Sequence, residues 1–140
     1  MDTEGLFSPA SVAEAREWYE TAGASAQEVV KETARAMAFD AEEYDERVTG
    51  AVIETARDAL FASLLRVRVG DRPEYESWLD DYPNYEAVTL GSEDVSRVVW
   101  HAVPFADTVV AATFENEPEA AVSTLRRQAF GRVYREHLDA

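Results

Sequence analysis

A chain that sets 28 acidic residues against one lysine, Lys31, and twelve arginines must fold against its own repulsion: its formal charge is −15 over 140 residues. Small soluble domains ordinarily carry a net charge of magnitude roughly 2–8. Repulsion on the larger scale works against any compact state in dilute buffer. Molar salt shortens the Debye length to about 3 Å and screens most of it. The scarcity of lysine points to the same solvent. A lysine stem exposes apolar surface whose association concentrated salt strengthens, whereas the short carboxylate stems expose little. Abundant Ala and Val beside a single isoleucine, Ile53, agree. The composition predicts a cytoplasmic, haloarchaeal-type protein adapted to molar salt.

Acidity does not imply disorder here, because 46% hydrophobic and 11% aromatic content can supply a core. The length predicts one globular domain over residues 1–140. With no cysteine, disulfides, thiolate nucleophiles and zinc–thiolate sites are excluded. The opening Met1-Asp2-Thr3-Glu4 lacks the basic and apolar regions of a signal peptide. The longest uncharged run, Val98 to Ala106, is about half a membrane span, so no membrane partner is expected.

Helix punctuation is frequent. Ser11-Val12-Ala13-Glu14 reads as a capping box, followed by Val12, Ala15, Trp18, Tyr19 and Ala22 at helical spacing, with Gly23 as the stop. Ser25-Ala26-Gln27-Glu28 reads as the start of a second helix carrying Val29, Val30 and Met37. Asp40-Ala41-Glu42-Glu43 starts a longer third, with Gly50 inside it either at a close backbone approach or merely exposed. Leu65, Val67 and Val69 alternate with Arg66 and Arg68, as in a strand. Asp71-Arg72-Pro73-Glu74 caps a short helix through Tyr75, Trp78 and Tyr82. Tyr85–Leu90 and Arg97–Val103 read as two more strands, then Pro104 opens a helix through Phe114. Asn116-Glu117-Pro118-Glu119 caps a last helix to about Leu138. This order predicts an α+β fold with a helical N-terminal half, a small three-stranded mixed sheet and two C-terminal helices. Its strand–helix–strand unit would be a parallel crossover, with the third strand antiparallel to the second.

The charge reverses late in the chain: residues 1–60 sum to −9, residues 61–120 to −8 and residues 121–140 to +2. The last helix carries Arg126, Arg127, Arg132 and Arg135. Arg126 falls within the apolar arc of Val122, Leu125, Ala129, Phe130 and Val133, which calls for a buried ion pair, because an unpaired buried charge is very costly. Arg127, Arg132 and Arg135 lie on the other side and are candidates for binding an anionic partner. Nucleic-acid binding needs a wider basic surface than three arginines on a −15 background. His101, at the end of a strand, is the one catalytic candidate, with Asp107 placed to orient it. No nucleophile elbow, phosphate loop or dinucleotide fingerprint accompanies it, and a histidine beside Trp100 and Ala102 fits a satisfied, half-buried residue better. Carboxylate pairs such as Glu42/Glu43 and Asp80/Asp81 arise by chance in so acidic a chain, so neither a metal nor a cofactor is expected. The aromatic group Tyr75, Trp78, Tyr82 and Tyr85 suits a helix packed on the sheet better than a stacking surface for bases.

Three stretches carry a family resemblance: Ala38 to Gly50 (AFDAEEYDERVTG), Val98 to Ala106 (VVWHAVPFA) and Thr124 to Arg132 (TLRRQAFGR). Together they resemble a family of small uncharacterised proteins, a domain of unknown function, from halophilic archaea. The resemblance implies a soluble protein of that setting and assigns no residue a role. The sequence therefore favours a non-enzymatic interaction or regulatory module. A nucleic-acid-associated factor using the last helix and a small enzyme centred on His101 are the alternatives. A protein partner, or a second copy paired along a sheet edge, is the partner class this reading leaves open.

Overall fold

The computed structural model describes residues 1–138, and it resolves the elements as a five-stranded mixed sheet with helices on both faces. Strands β1 (Asp2–Glu4), β2 (Val67–Asp71), β3 (Glu86–Leu90), β4 (Arg97–Val103) and β5 (Thr108–Phe114) lie in the order β1-β2-β4-β5-β3. Neighbouring pairs are antiparallel except β5 and β3, which are parallel. The three-stranded expectation is therefore overturned, and two strands account for the difference.

One is β1, which has three residues and no apolar periodicity to announce it; it pairs Thr3 with Arg68 at the sheet edge. The other is β5, read from sequence as a helix begun by Pro104. Pro104 instead opens a single 3-10 turn, Pro104–Ala106, closed by Asp107 in the left-handed region (φ 46°). The Thr108-Val109-Val110-Ala111-Ala112-Thr113-Phe114 run that follows is rich in β-branched residues, and Val109 through Ala112 are all buried. A strand covered on both faces loses the alternation that identifies strands. Inserting β5 also changes the predicted crossover: β2 and β3 point the same way, but β4 and β5 lie between them, and β3 and β4 do not pair.

The helices are regrouped as well. Helix α1 (Val12–Ala36) runs straight through Gly23, so the first two expected helices are one. The space a side chain at Gly23 would fill is taken by the Arg57 guanidinium, whose Nε would stand 3.0 Å from a Cβ there. The expected long third helix is instead two, α2 (Ala41–Arg47) and α3 (Gly50–Ser63). Val48 is extended between them, and the Thr49 hydroxyl accepts from Val52 N–H as the N-cap of α3. Helix α4 (Arg72–Asp81) begins with a complete capping box between Asp71 and Glu74. Helix α5 (Pro118–Ala129) continues through one π turn, Phe130–Tyr134, into α6 (Arg135–Leu138).

The larger core lies between one sheet face and α1, α3 and α5. Phe7 stacks on Trp18 at 4.7 Å, while Phe61 meets Tyr19, Phe130 and Tyr134 edge-on. On the other face α4 sets Tyr75 and Trp78 on Trp100, with ring centroids 5.1 and 6.4 Å apart. Trp100 sits opposite Arg68 on one side and Ala111 on the other, so all three share that face.

Candidate functional site

His101 is fully buried in β4, on the face toward α5, between Val99 and Val103. Both ring nitrogens are engaged. Nδ1 lies 2.6 Å from the Arg66 carbonyl and Nε2 lies 2.7 Å from the Tyr134 hydroxyl. A carbonyl oxygen only accepts, so Nδ1 carries the proton, Nε2 accepts, and Tyr134 donates. Burial drives the His101 pKa down from 6.5 to about 4; the Arg66 carbonyl opposes this, and the charges of Arg126, Arg68 and Arg66 add to it. The imidazole is neutral near pH 7. Burial likewise raises the Tyr134 phenol far above its ordinary value.

Asp107 is not brought to His101. It sits exposed at the turn before β5, where its carboxylate accepts from Asn84 Nδ2 at 3.1 Å. The partner that does orient the imidazole, Tyr134, was not singled out by sequence. It lies in the π turn, where the Arg135 N–H reaches back to the Phe130 carbonyl, an i→i+5 bond. The wider turn changes the helix phase and carries Tyr134 into the core beside Phe61 and Phe105, a shift that regular 3.6-residue periodicity does not contain.

Arg126 is half-buried, as its place in the apolar arc requires, but among the described residues it forms no ion pair with a carboxylate. Its Nε donates to the Leu65 carbonyl at 3.0 Å. Burial lowers its pKa, and the nearby Glu4 charge opposes that shift. The chain just after β1 packs closely beside this arginine. Gly5 (φ +97°) passes so close that a Cβ there would meet the Leu65 carbonyl and the Arg126 guanidinium, at 2.8 Å from Nη2. Arg127, Arg132 and Arg135 are all exposed; Arg132 Nε donates to Gln128 Oε1 at 3.0 Å, and Arg135 lies over the Phe130 ring at 5.3 Å. Among the described residues, no group of three or more His, Cys, Asp or Glu side chains is arranged to hold a metal. Among the described residues, no helix is long and apolar enough to cross a membrane.

One apolar surface was not singled out by sequence. Helix α1 has 25 residues and α3 has 14, about 37 Å against 21 Å at 1.5 Å per residue. The stripe Ala15, Tyr19, Ala22 and Ala26 is buried; in the outer half Ala34 stays buried at 4%, whereas Val29 is 50% exposed and the C-cap residue Met37 60%. Helix α2 buries none of its residues. Glu28 and Glu32 flank the uncovered stretch. Helical spacing identifies such a stripe but not where its cover stops.

Residues 6–135 match the model of a family of unknown function, DUF5809, and the chain belongs to that family. No curated protein and no solved structure matches it.

Proposed function

We propose that this DUF5809 protein is a non-enzymatic interaction module of a molar-salt cytoplasm, and that it binds a basic amphipathic helix of another protein along the outer half of α1. The observation that carries this reading is the pair of exposed apolar side chains Val29 and Met37 at the outer end of α1, with Glu28 and Glu32 beside them. Contiguous exposed apolar surface with a charged rim is the ordinary form of a docking site. Glu32 is paired with Arg35, so Glu28 is the rim carboxylate that favours a cationic helix, whose apolar residues at i, i+3 and i+7 fit the exposed side chains. His101 supports the non-enzymatic reading, since a general base must reach a substrate proton and both its nitrogens are already committed inside the core. The nucleic-acid alternative has less support, because Arg132 and Arg135 are occupied by Gln128 and Phe130 on the protein's own surface.

A fluorescein-labelled synthetic helix with leucines at those spacings and arginines elsewhere is the probe, titrated by anisotropy in molar KCl. Saturable binding is expected, weakened at least about tenfold by Val29→Ser with Met37→Ser, a loss of roughly 1.4 kcal/mol or more. A peptide of the same composition without helical periodicity should bind as weakly as the variant shows. Equal binding by wild type and variant sinks the proposal.

A further inference from the structure

The sheet ends in two very different edges. The β1 edge is three residues long, with acids at Asp2 and Glu4 and all three residues exposed. Short length and charge are the usual protection of an edge against pairing with another chain. The β3 edge, Glu86-Ala87-Val88-Thr89-Leu90, carries neither: it holds one charge, at its first position, and no Lys, Pro or bulge. In a chain that is one-fifth Asp and Glu, four successive uncharged residues on an open edge stand out.

The direction of its free backbone groups follows from one hydrogen bond. The Glu86 N–H donates to the Asp107 carbonyl at 2.7 Å, and β3 runs parallel to β5 with Glu86 beside Thr108. Backbone groups alternate sides along a strand. Glu86, Val88 and Leu90 therefore direct theirs at β5, and Ala87 and Thr89 direct theirs outward.

We propose that β3 is a homodimer interface, in which two copies pair their β3 strands antiparallel about a two-fold axis at Val88. This register sets Ala87 opposite Thr89 of the second copy, and Thr89 opposite its Ala87. In each pair both residues exchange N–H···O bonds, so all four outward-facing groups on each strand are satisfied. Val88 meets Val88 in the non-hydrogen-bonded position, where Cα atoms approach to about 4.5 Å. Glu86 faces Leu90 rather than its own counterpart. The two Glu86 residues are offset by four positions, roughly 14 Å along the strand, beyond the Debye length even at 0.1 M salt, about 10 Å. An isologous contact needs a self-complementary patch, and this strand is self-complementary in hydrogen bonding and in charge. The surface is separate from the outer half of α1, so the dimer stands or falls independently of the helix-binding reading.

The protein has no cysteine, which makes the register directly readable. In molar KCl, light scattering of the wild type should give twice the 15.6 kDa chain mass. Thr89→Pro removes an outward N–H without touching the β5 ladder and should return the mass to that of one chain, with an unchanged circular dichroism spectrum. Under oxidation Val88→Cys should crosslink to a covalent dimer. Ala87→Cys alone should crosslink far more slowly, because its nearest counterpart lies two positions along, outside the Cα separation a disulfide spans. A mixture of Ala87→Cys and Thr89→Cys should crosslink to each other. A monomeric wild type overturns the proposal. So does a dimer that survives Thr89→Pro, or equal crosslinking by Val88→Cys and Ala87→Cys. Should Thr89→Pro fail to fold, the crosslinking comparison decides alone.

Discussion

At the scale of single residues, the consequential group is a histidine held neutral. The pKa of His101 is about 4 in the fold, against an ordinary 6.5. As pH falls, the unfolded chain takes up this proton first. The stability that comes from keeping His101 neutral is complete above pH 6.5 and is lost progressively toward pH 4. A difference of that size corresponds to about 3 kcal/mol. His101→Gln, which keeps a hydrogen-bonding group without the titration, should be less stable than wild type at pH 7. The gap between their urea-unfolding free energies should narrow steadily between pH 6.5 and 4. A gap independent of pH would refute this assignment. The comparison with a variant is needed because protonating surface carboxylates relieves repulsion and acts in the opposite direction. The sequence placed His101 on a strand among apolar neighbours, which favours a satisfied histidine. It carried no trace of Tyr134 as the partner, because a π turn leaves no signature in residue spacing. The arginine in the apolar arc was legible as partly buried. Its carbonyl partner was not, because that depends on where Gly5 passes in space.

At the scale of elements, local chemistry marked some helix starts and missed others: Ser25 lies inside α1, Pro104 opens only a 3-10 turn, and α5 begins without a side-chain cap. The caps at Ser11, Asp40 and Asp71 all form, each side chain accepting a backbone N–H three residues on. Stop signals were weaker. A glycine ends a helix only when the chain turns left-handed there, and Gly23 does not; a neighbouring helix supplies Arg57 to fill its space instead. The cap at Thr49 was missed because Tyr44, Val48 and Val52, at helical spacing on either side, read as one continuous helix. This yields a paired prediction. Thr49→Ala deletes the hydroxyl that holds the Val52 N–H and should cost about 1 kcal/mol. Gly50→Ala, one residue away, meets nothing within 4 Å and should instead stabilise by about 0.4–1 kcal/mol by restricting the unfolded chain. Chemical denaturation of both variants at fixed KCl checks the signs. A chain helical through Val48 would instead give two gains, because Ala is the better helix former at both positions. The same lesson applies to β5: burial on both faces erased the alternation, and only the position of the strand in the assembled sheet makes sense of its composition.

For the whole molecule, the question is how a chain at −15 uses so few cations. Among the described residues, one ion pair joins an arginine to a carboxylate, Arg35 to Glu32 at 3.0 Å. The Met1 amino group pairs with Glu74, and His137 Nε2 lies 3.4 Å from Glu136 Oε1. The arginines mostly bind elsewhere. Arg16, Arg57, Arg66, Arg72 and Arg126 donate to backbone carbonyls. Arg47, Arg57, Arg68, Arg97 and Arg135 lie over aromatic rings. Both roles use the planar guanidinium fork, which an ammonium lacks, and this gives a structural reason for a chain with twelve arginines and one lysine. It also sets the expected response to salt. A protein held by ion pairs loses attraction as salt screens them; here screening removes little attraction and much repulsion. Thermal stability should therefore rise monotonically with KCl. The steep part should fall below about 1 M, where the Debye length shortens from 10 Å toward 3 Å. A shallower rise should follow as concentrated salt strengthens apolar association. Sucrose, which is excluded from the surface but screens nothing, should reproduce only the shallow part. Melting followed by circular dichroism separates the two, and a curve that is flat or falls through the first molar of KCl would show that the carboxylates do not oppose folding.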